Sequence, residues 1–423
     1  MNPVLPLDTL TRVVRRLPGG GLSAARQAAL ASFAERGFPS LSDEDWKYTD
    51  LTPAIDVSRE WLAAGGPAET PDPAGILAVR ATLDAHWLVI ANGELQEAQS
   101  NALTLPGIRA RRGHVGETRF EAPLSDLNAA LSHDVLELTI GREYRDEKPI
   151  VLLVADAATG APIASQVRIA VRLEDSAVAS FVEYHVSSGN ERHYSNTFIE
   201  TDVAPDACCR WVRVQERAPV HTQTARLDVR LDHGARLEHF GIDLGGALTR
   251  NDLRVDVVGR HAQVTLDGVY LAGPGQHVDN HTRTEHRVGP ARSRQEYRGV
   301  LSGRCRAVWN GKAIIHPGAD GTDLEQANHN LLLSGDAEID AKPELEIYAD
   351  DVKAAHGATV GQLDERALFY LQSRGIGPAR AKRILTRAFA ATVLDKLPLP
   401  CLRELVGDKV EARLRGMAGG ATA

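Results

Sequence analysis

The sequence predicts a mainly β protein: a solenoid of short stacked strands with helical segments at both ends. Three observations carry this expectation. From about Ile150 onward, apolar and polar residues alternate in short runs, and a period of two marks half-buried strands. Val167, Ile169, Val171 and Leu173 make one run, and Leu227, Val229 and Leu231 another; Val255 and Val257, then Val264 and Leu266, continue the pattern. Glycines recur at Gly234, Gly246, Gly259, Gly273, Gly289, Gly303, Gly318 and Gly335, with gaps of 12 to 17 residues. No helical pattern interrupts about 200 residues of this text. Evenly spaced strands without helices leave a sandwich or barrel, or a solenoid of coils. Length favours the solenoid, because the pattern is long for one sandwich and never divides into two similar halves. A solenoid carries open edges at its ends, which must be capped or paired.

The expected divisions are a mainly helical N-terminal unit over residues 1–110, a core over 111–355 with strands from about 145, and a helical C-terminal unit over 356–423. Residues 1 to about 65 read as helical. Ser23 can cap a helix whose apolar positions include Ala24, Ala28, Leu30, Ala31 and Phe33, and Gly37 and Pro39 stop it. Gly65, Gly66, Pro67, Pro71, Pro73 and Gly75 form a linker rich in breakers. A short strand follows at residues 87–91, with a turn at Asn92 and Gly93. Leu124, Leu127 and Leu131 mark a short helix with Ser125 as its cap. After Val360 the period becomes helical. Leu363, Ala367, Leu368 and Leu371 share one face, Asp364 can cap it and Gly375 can end it. Pro378 suits the first turn of the next helix, which carries Ala381, Ile384, Leu385, Ala388 and Phe389. Pro398 and Pro400 break it, a last helix runs from Leu402 to about Leu414, and residues 419–423 read as a frayed tail.

Composition narrows the function classes. The 423 residues allow two or three folding units or one elongated one, and 43% hydrophobic with 25% charged residues is the balance of a soluble protein. No run of apolar residues is long enough to span a membrane. Arg12, Arg15 and Arg16 precede no apolar block, which argues against a secretory signal and for a cytoplasmic location. A net charge of −8 disfavours a general nucleic-acid binder. Cys208, Cys209, Cys305 and Cys401 fit no zinc spacing and suggest a reducing compartment. Phosphate-loop, dinucleotide and hydrolase signatures are missing, so no ATP site is expected on this chain.

Chemistry concentrates in residues 342–361. There a strand-like alternation of Leu345 and Ile347 runs into Asp350 and Asp351, then into His356, which Gly357, Ala358, Thr359 and Gly361 leave uncrowded. An imidazole can bind a metal or move a proton near neutral pH. The plain alternative is a capping histidine at a strand-to-helix corner. Twelve of the fifteen histidines fall between His185 and His356, with His277, His281 and His286 the densest group. On a strand His277 and His281 would share a face and could hold a metal, although outward-facing polar histidines account for them as well. Gly375, Ile376, Gly377 and Pro378, followed by Arg380, Lys382 and Arg383, resemble a helix-hairpin-helix DNA-binding element. The alternative there is an αα-corner that needs glycine to turn. Asp320, Asp323 and Glu325 are a candidate set for a carbohydrate-active β-helix enzyme, which needs paired carboxylates. Trp46 and Tyr48, beside Asp43, Glu44 and Asp45, read as a packing anchor for the N-terminal unit.

Several of these segments together resemble the SufB/SufD family of iron–sulfur cluster assembly scaffolds. Glu44-Asp45-Trp46-Lys47-Tyr48-Thr49 is similar to the family's N-terminal signature, and Leu127-Asn128-Ala129-Ala130-Leu131 to its helix before the solenoid. Residues 342–361 are similar to its most specific motif, and residues 363–375 to the helical segment after it. The chain resembles the SufD type. SufB-type chains carry a cluster-assembling cysteine in the region of 342–361, and many SufD sequences have Val-Lys-Cys-Ser-His there. This chain has Val352-Lys353-Ala354-Ala355-His356, so the thiol is absent and the histidine is kept. The resemblance implies a right-handed parallel β-helix core between helical domains. It implies a non-catalytic subunit that pairs edge to edge with SufB, with each scaffold binding one SufC, an ABC-type ATPase. It implies no tightly bound cofactor, but transient iron or an iron–sulfur cluster shared with SufB near His356. Leu368, Leu371, Ile384 and Phe389 are then the candidate dock for SufC, with ordinary helix packing as the alternative. A homodimer of the chain alone is a further expectation, with neither nucleic acid nor membrane as partner.

Overall fold

The computed structural model describes residues 3–17, 23–66, 78–113, 122–158 and 160–419. Most of the expected linker, including Pro67, Pro71, Pro73 and Gly75, lies outside these residues, as do residues 420–423 of the expected tail. The chain begins with α1 (Leu7–Val14), α2 (Ala24–Arg36) and α3 (Thr52–Ala63). Ser23 caps α2 by accepting from the Arg26 N–H, and Gly37, at φ 67°, ends it. Next come β1 (His86–Ala91), β2 (Glu94–Leu95), β3 (Ile108–Gly113), α4 (Pro123–Leu131) and β4 (Val135–Ile140). Asn92 and Gly93 both have positive φ and make the tight turn that pairs β1 with β2. The expected cap of α4 shifts. Pro123 occupies the first turn, and Ser125 binds back to the N–H and C=O of Ala122 from inside the helix.

From β5 (Ile150–Ala157) to β19 (Val352–Gly361) the chain is an unbroken succession of strands. Odd-numbered strands build one sheet, in the order β19 to β5, then β1 and β2. Even-numbered strands build the other, ending on β4 and β3. Consecutive strands therefore alternate between two facing sheets, and about eight coils stack into a parallel β-solenoid. Parallel pairing excludes the sandwich and the antiparallel barrel, both of which the alternation alone left open. Coil length follows from register: Thr222 pairs with Leu248, and Leu248 with His277. Each of the eight glycines lies in a corner between strands, so the gaps of 12 to 17 residues measure half a coil.

The boundaries differ from the expected ones at both ends of the core. The ten-stranded sheet already includes β1, in residues expected to be mainly helical, because Leu88 and Ile90 join the lumen while Trp87 and Val89 join the outer face. At the other end β19 runs on to Gly361, past the expected limit at 355. Gly357, Ala358 and Gly361 are weak strand formers, and pairing with β17 (Thr322–Leu332) overrides that weakness.

Three large apolar clusters, and a small one at the last coil, hold the described residues together. The lumen packs Leu152, Val154, Ile169, Phe181, Trp211, Leu237, Val255 and Trp309 between the sheets. The outer face of the nine-stranded sheet receives α1 to α4 through Val13, Phe33, Trp61 and Leu127, against Ala164 and Tyr194. The outer face of the ten-stranded sheet receives α6 (Pro378–Leu394) and α7 (Arg403–Gly419), whose Val393, Val406, Val410 and Leu414 meet Val212, Phe240 and Val269. The lumen also carries a polar flank, because residues two apart share a face. Glu183 follows Phe181 inward, accepts from Trp211 Nε1 at 2.8 Å and meets His185 Nε2 at 2.7 Å. Arg217, fully buried, donates to Asp156 at 2.6 Å and Ser195 at 3.0 Å.

Candidate functional site at the open end of the solenoid

The last coil is formed by β18 (Ala337–Ile347) and β19, and each is the edge strand of its sheet. Its apolar residues find few partners. Leu345, Val352 and Ala354 are partly buried against Ala313, Ile315 and Leu324, while Ile347, Tyr348 and Val360 are exposed. Asp320 accepts from the N–H groups of Asp350 and Asp351, each at 3.2 Å, and so shapes the acidic turn between the two strands.

His356 stands in the middle of β19, directly opposite Gln326, which itself lies opposite Gln295. Gln295 and Gln326 are buried, so His356 prolongs an inward-facing row. The imidazole is nevertheless exposed, because no further coil covers it. This is not the strand-to-helix corner that the plain alternative required. Among the described residues no group of three or more His, Cys, Asp or Glu side chains could hold a metal ion. His277 contacts Thr49 Oγ1 at 2.9 Å, His281 contacts Asp279 at 3.1 Å, and His286 contacts Ser293 at 2.9 Å on the opposite face of the strand. The cysteines lie elsewhere: Cys209 and Cys305 are buried, Cys208 is half-buried and Cys401 is exposed beyond the solenoid.

The expected docking residues divide into two groups. Leu368 and Leu371 lie on α5 (Glu365–Ser373), which has no buried residue. Leu368 lines a cleft of about 270 Å³ with Leu333, Lys382, Leu414 and Met417. Ile384 is exposed. Phe389 instead packs toward the sheet cluster, with the Arg298 guanidinium 5.0 Å over its ring and donating to its carbonyl at 3.2 Å. Sequence reasoning passed over Phe369 and Tyr370, which are 73% and 57% exposed. The available signal was an adjacent aromatic pair out of phase with the apolar face of an amphipathic helix. Gly375, at φ 82°, turns α5 into α6, so the hairpin forms and leaves Arg380 and Lys382 exposed.

The candidate glycosidase carboxylates are otherwise engaged. Asp323 faces Arg292 at 3.5 Å, Glu325 faces Arg294 at 3.2 Å, and Asp320 holds the turn. The aromatic-acidic cluster does anchor the N-terminal unit. Arg250 lies 4.3 Å over the Trp46 ring and donates to the Asp45 carbonyl at 2.9 Å. Thr49 donates to Asp279 at 2.5 Å. Burial disfavours charge on Asp279, but Arg250 and His281 outweigh it and hold the carboxyl below its usual range.

The fold and site together define a parallel β-solenoid with an open terminal coil and an exposed histidine on its last strand. Residues 155–389 match the family model described as SUF system FeS cluster assembly, SufBD core domain. The chain is 30% identical to the iron–sulfur cluster assembly protein SufD of Escherichia coli, over 94% of each chain. It is 27% identical to a SufBD family protein of Synechocystis, over 92% of this chain and 90% of the relative. A SufBD family protein of Mycobacterium leprae is 31% identical, over 66% of this chain and 71% of that one. The chain therefore belongs to the SufBD family of iron–sulfur cluster assembly proteins. Within that family it is SufD-like. No described helix is long and apolar enough to cross a membrane.

Proposed function

We propose that this chain is the SufD-type scaffold subunit of a cytoplasmic complex with a SufB-type partner and a SufC-type ATPase. On this reading the open last coil mates with the partner, and His356 contributes to iron acquisition and nascent cluster formation there. One observation carries it: an inward-facing histidine left exposed on a terminal strand that is paired on one side only. Alone, the imidazole is one ligand. The partner's thiolate and carboxylates would complete the site for incoming iron and sulfide, imidazole suiting iron(II) and thiolate the cluster. The ATPase docks on the C-terminal hairpin, around Leu368, Leu371 and Ile384, with Phe389 behind them. ATP-driven dimerisation of the ATPase strains the scaffold pair and opens its interface.

Two measurements test this reading. The wild-type chain should co-purify with a SufB-type chain and a SufC-type ATPase. His356→Ala should keep those partners but lose cluster assembly in a strain lacking the wild-type gene. Full complementation by His356→Ala would reject the role given to that residue.

A further inference from the structure

We propose that residues 44–49 are a clamp that orders the edge strand β18, and through it the mating face of the last coil. The segment makes contacts on four consecutive coils of the nine-stranded sheet. On β12 (Leu248–Val257), Arg250 stacks on Trp46. On β14 (His277–His286), Asp279 and His277 hold the Thr49 hydroxyl at 2.5 and 2.9 Å. On β16 (Cys305–Ile315), Arg306 lies 5.4 Å over the Tyr48 ring. On β18, Lys342 meets Glu44 at 2.9 Å.

Burial runs down along the segment's reach. Thr49 and Asp279 are buried and Arg250 is almost fully buried, so this end is fixed. Arg306 is the relay: the guanidinium under Tyr48 also holds Asp340 of β18 at 2.7 Å. Lys342 in turn bridges Glu44 and Glu344 of its own strand, the latter at 3.2 Å. β18 pairs on one side only, and its residues from Ile339 to Glu346 are all half-buried. An edge strand of this kind opens locally well below the global unfolding free energy. Tethers from a rigid neighbour lower that opening even where each exposed ion pair adds little to global stability.

The inference rests on the mating face proposed above, and its test separates the two. The double variant Tyr48→Ala, Lys342→Ala removes the outer half of the clamp and leaves Trp46, Thr49 and their buried partners in place. Amide hydrogen exchange on the full chain should rise about tenfold or more across residues 340–346, with the amides of β10 (His221–Leu231) unchanged. Lys342→Arg, which keeps the cation, should restore the Tyr48→Ala single-variant rate. Unchanged exchange in β18 would overturn the clamp. Faster exchange with weaker association to a SufB-type chain supports both readings. Faster exchange with unaltered association leaves the clamp standing and moves the mating face away from β18.

Discussion

At Gly259 an added Cβ would fall 2.0 Å from the backbone nitrogen of His233, one coil earlier. Backbone atoms cannot step aside as a side-chain tip can, so Gly259→Ala is expected to destabilise the fold by about 2 kcal/mol or more. Urea unfolding would measure this, and a loss within error would show that the corner relaxes. The sequence marked Gly259 as one breaker in a series. That spacing revealed the half-coil period, but the crowding that demands glycine there exists only between coils. His356 was legible in a similar partial way. Its isolation among small residues stood out, yet its place in mid-strand did not, because small residues favour a strand only when a neighbouring strand supplies the hydrogen bonds.

The C-terminal helices were the most legible elements. Asp364 caps α5 by accepting from the Arg366 N–H at 2.8 Å, and Pro378 opens α6. Local caps act within a few residues, so a sequence can display them. Which apolar face meets the solenoid depends on contacts a hundred residues away, so the period could not separate docking residues from packing ones. Two substitutions now separate them. Ile384→Asp alters an exposed position and should leave stability within about 0.5 kcal/mol, while weakening co-purification with a SufC-type ATPase. Phe389→Ala removes a ring packed against Arg298 and the sheet cluster, and should lower stability by about 2–4 kcal/mol. Unimpaired capture of the ATPase by Ile384→Asp would move the dock elsewhere. The shift of β1 into the solenoid has a similar origin: five buried residues in a row suit a strand covered on both faces, which alternation alone does not announce.

Across the whole molecule, acid should weaken the fold. Burial lowers His286 to about 4, and His193 and His239 to about 3. Each is neutral when folded and takes up a proton on unfolding once the pH drops below its ordinary value of 6.5. Stability is thus fully present above pH 6.5 and is lost on descending toward pH 4, by about 1.4 kcal/mol per pH unit for each fully titrating group. Asp267 works the other way. Burial raises its carboxyl to about 6 against the pull of Lys396, so its contribution is present at low pH and fades as pH rises toward 6. Three groups outweigh one, and the urea midpoint should be lower at about pH 5 than at pH 7. An unchanged midpoint would mean that these imidazoles are not held neutral.

The two tips of the rod are unlike. At one, β2 pairs antiparallel with β1 and β3 with β4, and Arg109, Arg111 and Arg112 on β3 are tied to Glu174, Glu137 and Asp134. Such a charged, reversed border repels further addition. At the other tip, bare ladder groups stand beside Tyr348 and Val360. A body that is adhesive at a single pole satisfies itself with one companion. On the proposed reading it closes into a pair with its SufB-type companion and leaves no free pole from which a fibre could grow.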